Sequence, residues 1–248
     1  KLIMYRLGNN ILKLNDKLIS KRVAKPYPTD GLVARWAFED NLNDSFYNRY
    51  NLSFYDSGAG LDYVTGKIGK AADKRDRCAF YTLDSDIYYD VFNGTGNYTI
   101  AGWYYHNGKW NSDGRVGMKR ARSYICDDMR LIGFRFTSDI DKLRITCRNA
   151  NPTSDYRVDV TSILGGNFQQ DTWYHIAQTF DGSQIKTYLN GELLDTVNNN
   201  SAIYITTSHD GYCPMDSGES TGKLYYIDNH YVYNRALTLE EIQQLYNE

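Results

Sequence analysis

Short apolar runs rich in aromatic and β-branched residues, punctuated by Gly, Asn and Asp, fill the chain from Gly31 onward, and that rhythm predicts strands joined by tight turns. Leu32-Val33-Ala34-Arg35-Trp36-Ala37-Phe38, Tyr98-Thr99-Ile100-Ala101-Gly102-Trp103-Tyr104-Tyr105 and Trp173-Tyr174-His175-Ile176-Ala177-Gln178-Thr179-Phe180 are the clearest runs. Asp181-Gly182 carries the third run into Gln184-Ile185-Lys186-Thr187-Tyr188-Leu189, and Asn190-Gly191 carries that into Glu192-Leu193-Leu194-Asp195-Thr196-Val197. Asp-Gly and Asn-Gly favour two-residue hairpins because both central positions need positive φ. Successive hairpins build an antiparallel meander, and meanders of this length stack face to face as a two-sheet sandwich. The fold class expected is therefore all-β.

One helix is predicted, at the C-terminus. Thr238 precedes Glu241 by three residues, the spacing of a capping box. Leu237 and Ile242 suit the accompanying hydrophobic staple, and Ile242, Leu245 and Tyr246 share one face.

Residues 1–28 follow a different pattern. Leu2, Ile3, Leu7, Ile11, Leu12, Leu14, Leu18 and Ile19 are mixed with Asn, Lys and Arg, and Gly8-Asn9-Asn10 and Asn15-Asp16 have turn chemistry. Ser20 to Pro28 reads as a solvated connector. Residues 1–28 are expected to form an arm or small hairpin that packs on the sandwich, docks to a partner or drives oligomerisation, and residues 29–248 the sandwich.

Composition narrows the function classes. The 248 residues carry 28 Lys and Arg against 30 Asp and Glu, a net charge of −2 with no basic stretch, so nucleic acid is not an expected partner. No run of about 18 apolar residues is present, so no membrane partner is expected either. Tyr dominates the aromatic 15%, and Tyr serves pleated half-buried surfaces first and sugar or protein contacts second. Cys78, Cys126, Cys147 and Cys213 contain no CxxC pair. They allow three disulfide pairings or four small buried thiols. No Gly-x-Ser-x-Gly elbow or phosphate loop appears.

Several stretches resemble one family in order along the chain. Gly31 to Ser45, in which a strand runs into an Asn- and Asp-rich loop, resembles the opening of laminin-G-like, concanavalin A-like lectin/glucanase domains. Gly66-Lys67-Ile68-Gly69-Lys70-Ala71, Tyr98-Thr99-Ile100-Ala101-Gly102-Trp103, the two hairpins above, and Ile227-Asp228-Asn229 with Tyr233-Asn234-Arg235-Ala236-Leu237-Thr238 resemble the later markers. The sequence departs from the family pattern at Lys74-Arg75-Asp76, along residues 106–170, and in the arm. The resemblance implies a two-sheet antiparallel jelly roll ending in a short helix.

The resemblance also implies a structural calcium ion held by Glu39, Asp44 and Asp228, with Asn229 standing where the family commonly has an acid. Calcium takes six to eight oxygens, and Glu39, Asp40, Asn43, Asp44 and Asn48 crowd one loop; the bland alternative is a set of Asx-turns. The related laminarinase-like enzymes carry Glu-x-Asp-x-x-Glu on one strand, and this motif is absent, so catalysis is not expected. The ligand surface expected is a set of rim loops bearing Trp110, Arg122, Tyr124, Arg130 and Tyr212, with aromatic faces for sugar rings and polar groups for hydroxyls. Two functions follow. One is carbohydrate recognition or adhesion on a cell-surface polysaccharide. The other is a virion structural role, as a phage fibre or capsid decoration docked or oligomerised by the arm. Either places the protein outside the cell or on a virion surface.

Overall fold

The computed structural model describes residues 5–7, 11–14, 17–20, 26–55, 60–74, 79–82, 86–92, 96–106, 114–122, 125–136, 141–148, 153–198, 212–217 and 225–248. In the arm, β1 (Tyr5–Leu7), β2 (Ile11–Leu14) and β3 (Lys17–Ser20) form their own antiparallel three-stranded sheet. The body carries β4 (Leu32–Trp36), β5 (Ser53–Tyr55), β6 (Asp62–Thr65), β7 (Lys70–Lys74), β8 (Ala79–Thr82), α1 (Asp86–Phe92), β9 (Tyr98–His106), β10 (Gly114–Arg122) and β11 (Ile125–Phe136). It continues with β12 (Lys142–Arg148), β13 (Thr153–Asp159), α2 (Thr161–Leu164), β14 (Thr172–Phe180), β15 (Gln184–Leu189), β16 (Glu192–Asn198), β17 (Tyr212–Ser217), β18 (Tyr225–Tyr233) and α3 (Leu239–Tyr246).

These strands make the two sheets of a sandwich. One runs β13-β12-β11-β10-β17-β8-β5, and the other β16-β15-β14-β9-β18-β7-β6 with β4 also paired to β18. Every named pairing is antiparallel, as hairpin connections require. The Asn190-Gly191 turn has φ of 51° and 80°, the positive pair expected of it. The preceding turn is shifted by one residue. Phe180 pairs with Ile185 and the Asp181 N–H bonds Gln184 O, so Gly182 and Ser183 are its central pair.

The period-two rule sorts the strands of the second sheet into an inner and an outer row. Ile100 and Tyr104 of β9, Tyr174, Ile176 and Phe180 of β14, and Ile227 and Val232 of β18 point inward. There they meet Phe80, Phe134, Leu143, Ile145 and Tyr212 of the first sheet in one buried cluster. The Tyr104 and Phe134 rings meet edge to face at 5.2 Å between the sheets. The alternate residues Ala101, Ala177, Tyr231 and Tyr233 point outward into a second cluster, closed by Ile242 and Leu245 of α3 and by Tyr27.

Helix α3 begins as its sequence dictates. Thr238 accepts from the Glu241 N–H while Glu241 accepts from the Thr238 N–H, and Arg235 fixes the same carboxylate with bonds of 2.6 and 2.8 Å. Eight helical residues span about 12 Å, close to the roughly 13 Å that four strand residues cover. The helix accordingly reaches from Leu237, whose N–H bonds Thr99 Oγ1, to Tyr246, whose ring stacks on Trp103 at 5.4 Å. Gly191 lets it lie this close, since a Cβ there would sit 3.0 Å from the Tyr246 ring.

Two further helices, α1 and α2, were not expected from the sequence. In α1, Ile87 and Val91 lie one turn apart and are both buried in the main core, while Asp86 and Asp90 occupy the adjacent stripe.

Candidate functional site

At the rim where β4 begins and β18 ends, a groove of about 600 Å³ is lined by Thr29, Gly31, Leu32, Val33, Tyr47, Arg49, Tyr50, Asp90 and Asn234. That is a volume suited to one or two sugar rings or a comparable small ligand. The loop that follows Asp44 supplies Tyr47, Arg49 and Tyr50 to it. The Asp44 carboxylate is 2% exposed and accepts four backbone N–H groups, from Arg35 at 3.1 Å, Phe46 at 3.0 Å, Tyr47 at 3.4 Å and Arg49 at 3.2 Å. The Asp44 N–H in turn bonds Asn51 Oδ1, and Asn48 holds a φ of 55°, so the loop coils tightly around one carboxylate.

Coiling the loop this way sends Tyr47 outward, where it is 66% exposed. It also aims the Arg49 guanidinium at α1. Arg49 bonds Asp90 at 2.5 Å and Asp86 at 3.3 Å, and lies 4.8 Å from the centre of the Tyr50 ring. The Tyr50 hydroxyl donates to the same Asp90 oxygen at 2.5 Å, while its ring is buried in the core. The groove thus offers an exposed phenol ring, a guanidinium, a carboxylate and an amide on rigid supports. These are groups that stack on a sugar face and bond its hydroxyls.

The three carboxylates expected around one cation do not come together. Asp44 is spent on the backbone of its own loop. Glu39 and Asp228 instead meet around the Gly66–Lys70 turn, where Glu39 Oε1 accepts the Lys70 N–H at 3.1 Å and Asp228 Oδ2 accepts the Ile68 N–H at 2.8 Å. The turn presses on both: a Cβ on Gly69 would lie 2.1 Å from Glu39 and one on Gly66 2.6 Å from Asp228. Burial pushes the Asp228 carboxyl up to about 7 against its N–H bonds, and the Glu39 charge pushes the same way. Asn229 donates to Asp228 at 2.9 Å and accepts from Arg35, so its amide serves the acid rather than replacing it. Among the described residues no three His, Cys, Asp or Glu side chains cluster as metal ligands. Glu39 and Asp228 bring two carboxylates to one turn, whereas both Asp44 oxygens already accept backbone N–H groups.

The expected ligand residues disperse as well. Tyr212, expected on a rim loop, lies on β17 with its ring fully buried, stacked on Trp36 at 5.3 Å and bonded through its hydroxyl to His230. Arg122 closes β10 opposite Ile125, and Arg130 pairs with Lys119 inside β11. Trp110 and Tyr124 lie outside the described residues. Sequence reading missed the groove because its walls come from positions near 30, 48, 90 and 234. The one local signal was the Asp44-x-x-Tyr47-x-Arg49 spacing of an Asx-capped loop.

The comparisons agree with this architecture. A laminin-G family model, described as the concanavalin A-like lectin/glucanases superfamily, matches residues 83–243. No curated protein sequence matches the chain. Among solved structures, domain 4 of AbnA, an extracellular arabinanase of Geobacillus stearothermophilus bound to arabinotriose, aligns at a TM-score of 0.58 and 18% identity over 86% of this chain and 97% of that one. The binding domain of Paraclostridial Mosquitocidal Protein 1 aligns at 0.66 and 17% identity, over 88% of this chain and 52% of that one. The binding domain of botulinum neurotoxin DC, solved with rat synaptotagmin II, aligns at 0.64 and 17% identity, over 88% of this chain and 51% of that one. The chain therefore spans about half the length of those toxin domains. With the family model covering well over half the chain, and the jelly-roll sandwich and closing helix in place, the protein belongs to the concanavalin A-like lectin/glucanases superfamily.

Proposed function

We propose that the protein is a non-catalytic binding module that recognises glycan in the rim groove beside Tyr47. The observation that carries the reading is the groove itself, where a mostly exposed tyrosine stands next to a guanidinium and a carboxylate already held in place. The similar arabinanase domain was solved with arabinotriose, and another similar structure concerns botulinum neurotoxin type C and two ganglioside molecules. Both support carbohydrate as the ligand class and the cell exterior as the place of work. A glycan array probed with the intact chain and with Tyr47→Ala tests this. Loss of the signal in the variant supports the reading, and an unchanged signal removes it.

A structural calcium belongs to the same proposal, held by Glu39 and Asp228 at the Gly66–Lys70 turn. Bound there, the ion would supply the positive charge that keeps the buried Asp228 ionised.

The arm favours a second reading. Strands β1, β2 and β3 pair only with each other in the described sheets, and a sheet must bury its apolar face against another element. A virion or oligomer partner for residues 1–28 accounts for that need. Light scattering of the chain lacking residues 1–28 decides it: a drop in assembly size supports the docking role, and an unchanged monomer ends it.

A further inference from the structure

The outer face of the second sheet carries an aromatic rung at the end remote from the groove. Trp173 of β14 pairs with Tyr105 of β9, and Tyr105 pairs with Tyr226 of β18, so three rings stand side by side on three neighbouring strands. The Tyr105 and Tyr226 rings stack at 4.8 Å, and Trp173 meets Tyr105 edge-on at 5.4 Å. Two residues further along the same strands stand His175 and Trp103, which α3 covers with Tyr246. Tyr246 is the last residue of α3, so the helix stops one rung short, and Trp173, Tyr105 and Tyr226 are each left partly exposed.

The surroundings of the rung are polar. The Tyr105 hydroxyl donates to the exposed Asp171 carboxylate at 3.2 Å, and on the far side the rung continues through Asp73 to the exposed Asp62. Beneath the edge of the helix, both ring nitrogens of His175 and the indole N–H of Trp103 are buried without a hydrogen-bond partner. An apolar protein partner would bury the exposed Asp171 and Asp62 carboxylates at a cost. A polyhydroxylated ligand suits the mixture, since its C–H faces pack on rings and its hydroxyls serve the exposed carboxylates.

We propose that the Trp173–Tyr105–Tyr226 rung is a second carbohydrate-contact site, which makes the module bivalent. This rests on the groove being the first site. Tyr226 is the second residue of β18 and Asn234 follows its end, and eight strand steps separate them by about 26 Å. One bound oligosaccharide of a few sugars cannot span both. The two sites would therefore engage different chains, or distant parts of one polysaccharide, and raise avidity without new contacts.

Calorimetric titration of the intact chain with arabinotriose and with cellotriose tests the proposal, with Trp173→Ala, Tyr105→Phe and Tyr47→Ala alongside. The Tyr105→Phe variant removes one hydroxyl and keeps the rung packed, so it guards against a Trp173→Ala chain that fails to fold. Two ligands per chain are expected, falling to one in Trp173→Ala and to one in Tyr47→Ala. The rung site should weaken at least threefold in Tyr105→Phe. A single site lost only in Tyr47→Ala overturns the second site and leaves the groove standing. A single site lost only in Trp173→Ala supports the rung and overturns the groove. Absence of binding to both sugars overturns the two together.

Discussion

His230 on β18 and Tyr212 on β17 hydrogen-bond across the middle of the sandwich, tying one sheet to the other. The imidazole is fully buried, its Nδ1 faces the Tyr104 hydroxyl at 2.8 Å, and its ring stacks on Trp36 at 5.7 Å. The bulge in β18 between Asp228 and Tyr231 turns His230 inward, and Gly102 gives it room, since a Cβ there would lie 3.2 Å from Nδ1. Tyr212→Phe removes one partner and leaves a buried ring nitrogen unmatched, which costs about 1–3 kcal/mol. Urea unfolding of the two chains should show that loss with no change in slope. Equal midpoints would mean that the bond contributes nothing.

The same burial makes stability depend on acid. Desolvation lowers His175 and His230 to about 3, against 6.5 for a free imidazole. The unfolded chain therefore binds two protons that the folded one refuses, and the stability present above pH 6.5 is lost as pH falls toward 3. Asp228 works the other way. Its folded value near 7 exceeds the ordinary 3.8, so folding gains as pH falls from 7 to about 4. With EDTA present, the two histidine losses outweigh the one gain and stability falls between pH 6 and 4, the lowered carboxyls of Asp159, Asp181, Glu240 and Glu241 adding to the fall at its acid end. Replacing His175 with Phe should flatten the profile. A flat profile in the parent chain would contradict this account.

Asp44 should matter for the loop and not for a cation. Asp44→Ala strips the acceptor from four N–H groups and should destabilise the chain by about 3 kcal/mol. It should also weaken groove binding, because Tyr47 and Arg49 lose their support. Differential scanning calorimetry with and without chelator separates the roles. If EDTA lowered the melting temperature of the parent chain but left Asp44→Ala unmoved, Asp44 would be a metal ligand after all.

Calcium at Glu39 and Asp228 predicts a different pattern. An ion at a hundredfold excess over its dissociation constant stabilises by about 2.7 kcal/mol, which for a chain of this size raises Tm by roughly 5–10 °C. Asp228→Asn should abolish the rise, and Asp44→Asn should retain it. A parent chain whose melting ignores millimolar calcium would remove the ion from the picture.

What the sequence revealed was what is local. The Asn190-Gly191 turn and the Thr238–Glu241 box each depend on residues within a few positions, and both stand as read. The strand Leu32–Phe38 was read two residues too long, because Phe38 takes a φ of 56° and turns the chain into the Asp44 loop. Helix α1 was missed because seven residues give too short a period to read. Tyr212 looked like a loop tyrosine because nothing nearby in sequence announces that His230 and Trp36 await it. The groove could not be read at all, since Tyr47, Asp90 and Asn234 meet only after both sheets are assembled.

Soaking crystals of the protein with an array-selected oligosaccharide tests the central claim most directly. Sugar density packed on the Tyr47 ring, with hydroxyls within hydrogen-bond reach of Arg49, Asp90 or Asn234, is the predicted result. Well-ordered sugar bound elsewhere, with the groove holding only water, would contradict the account.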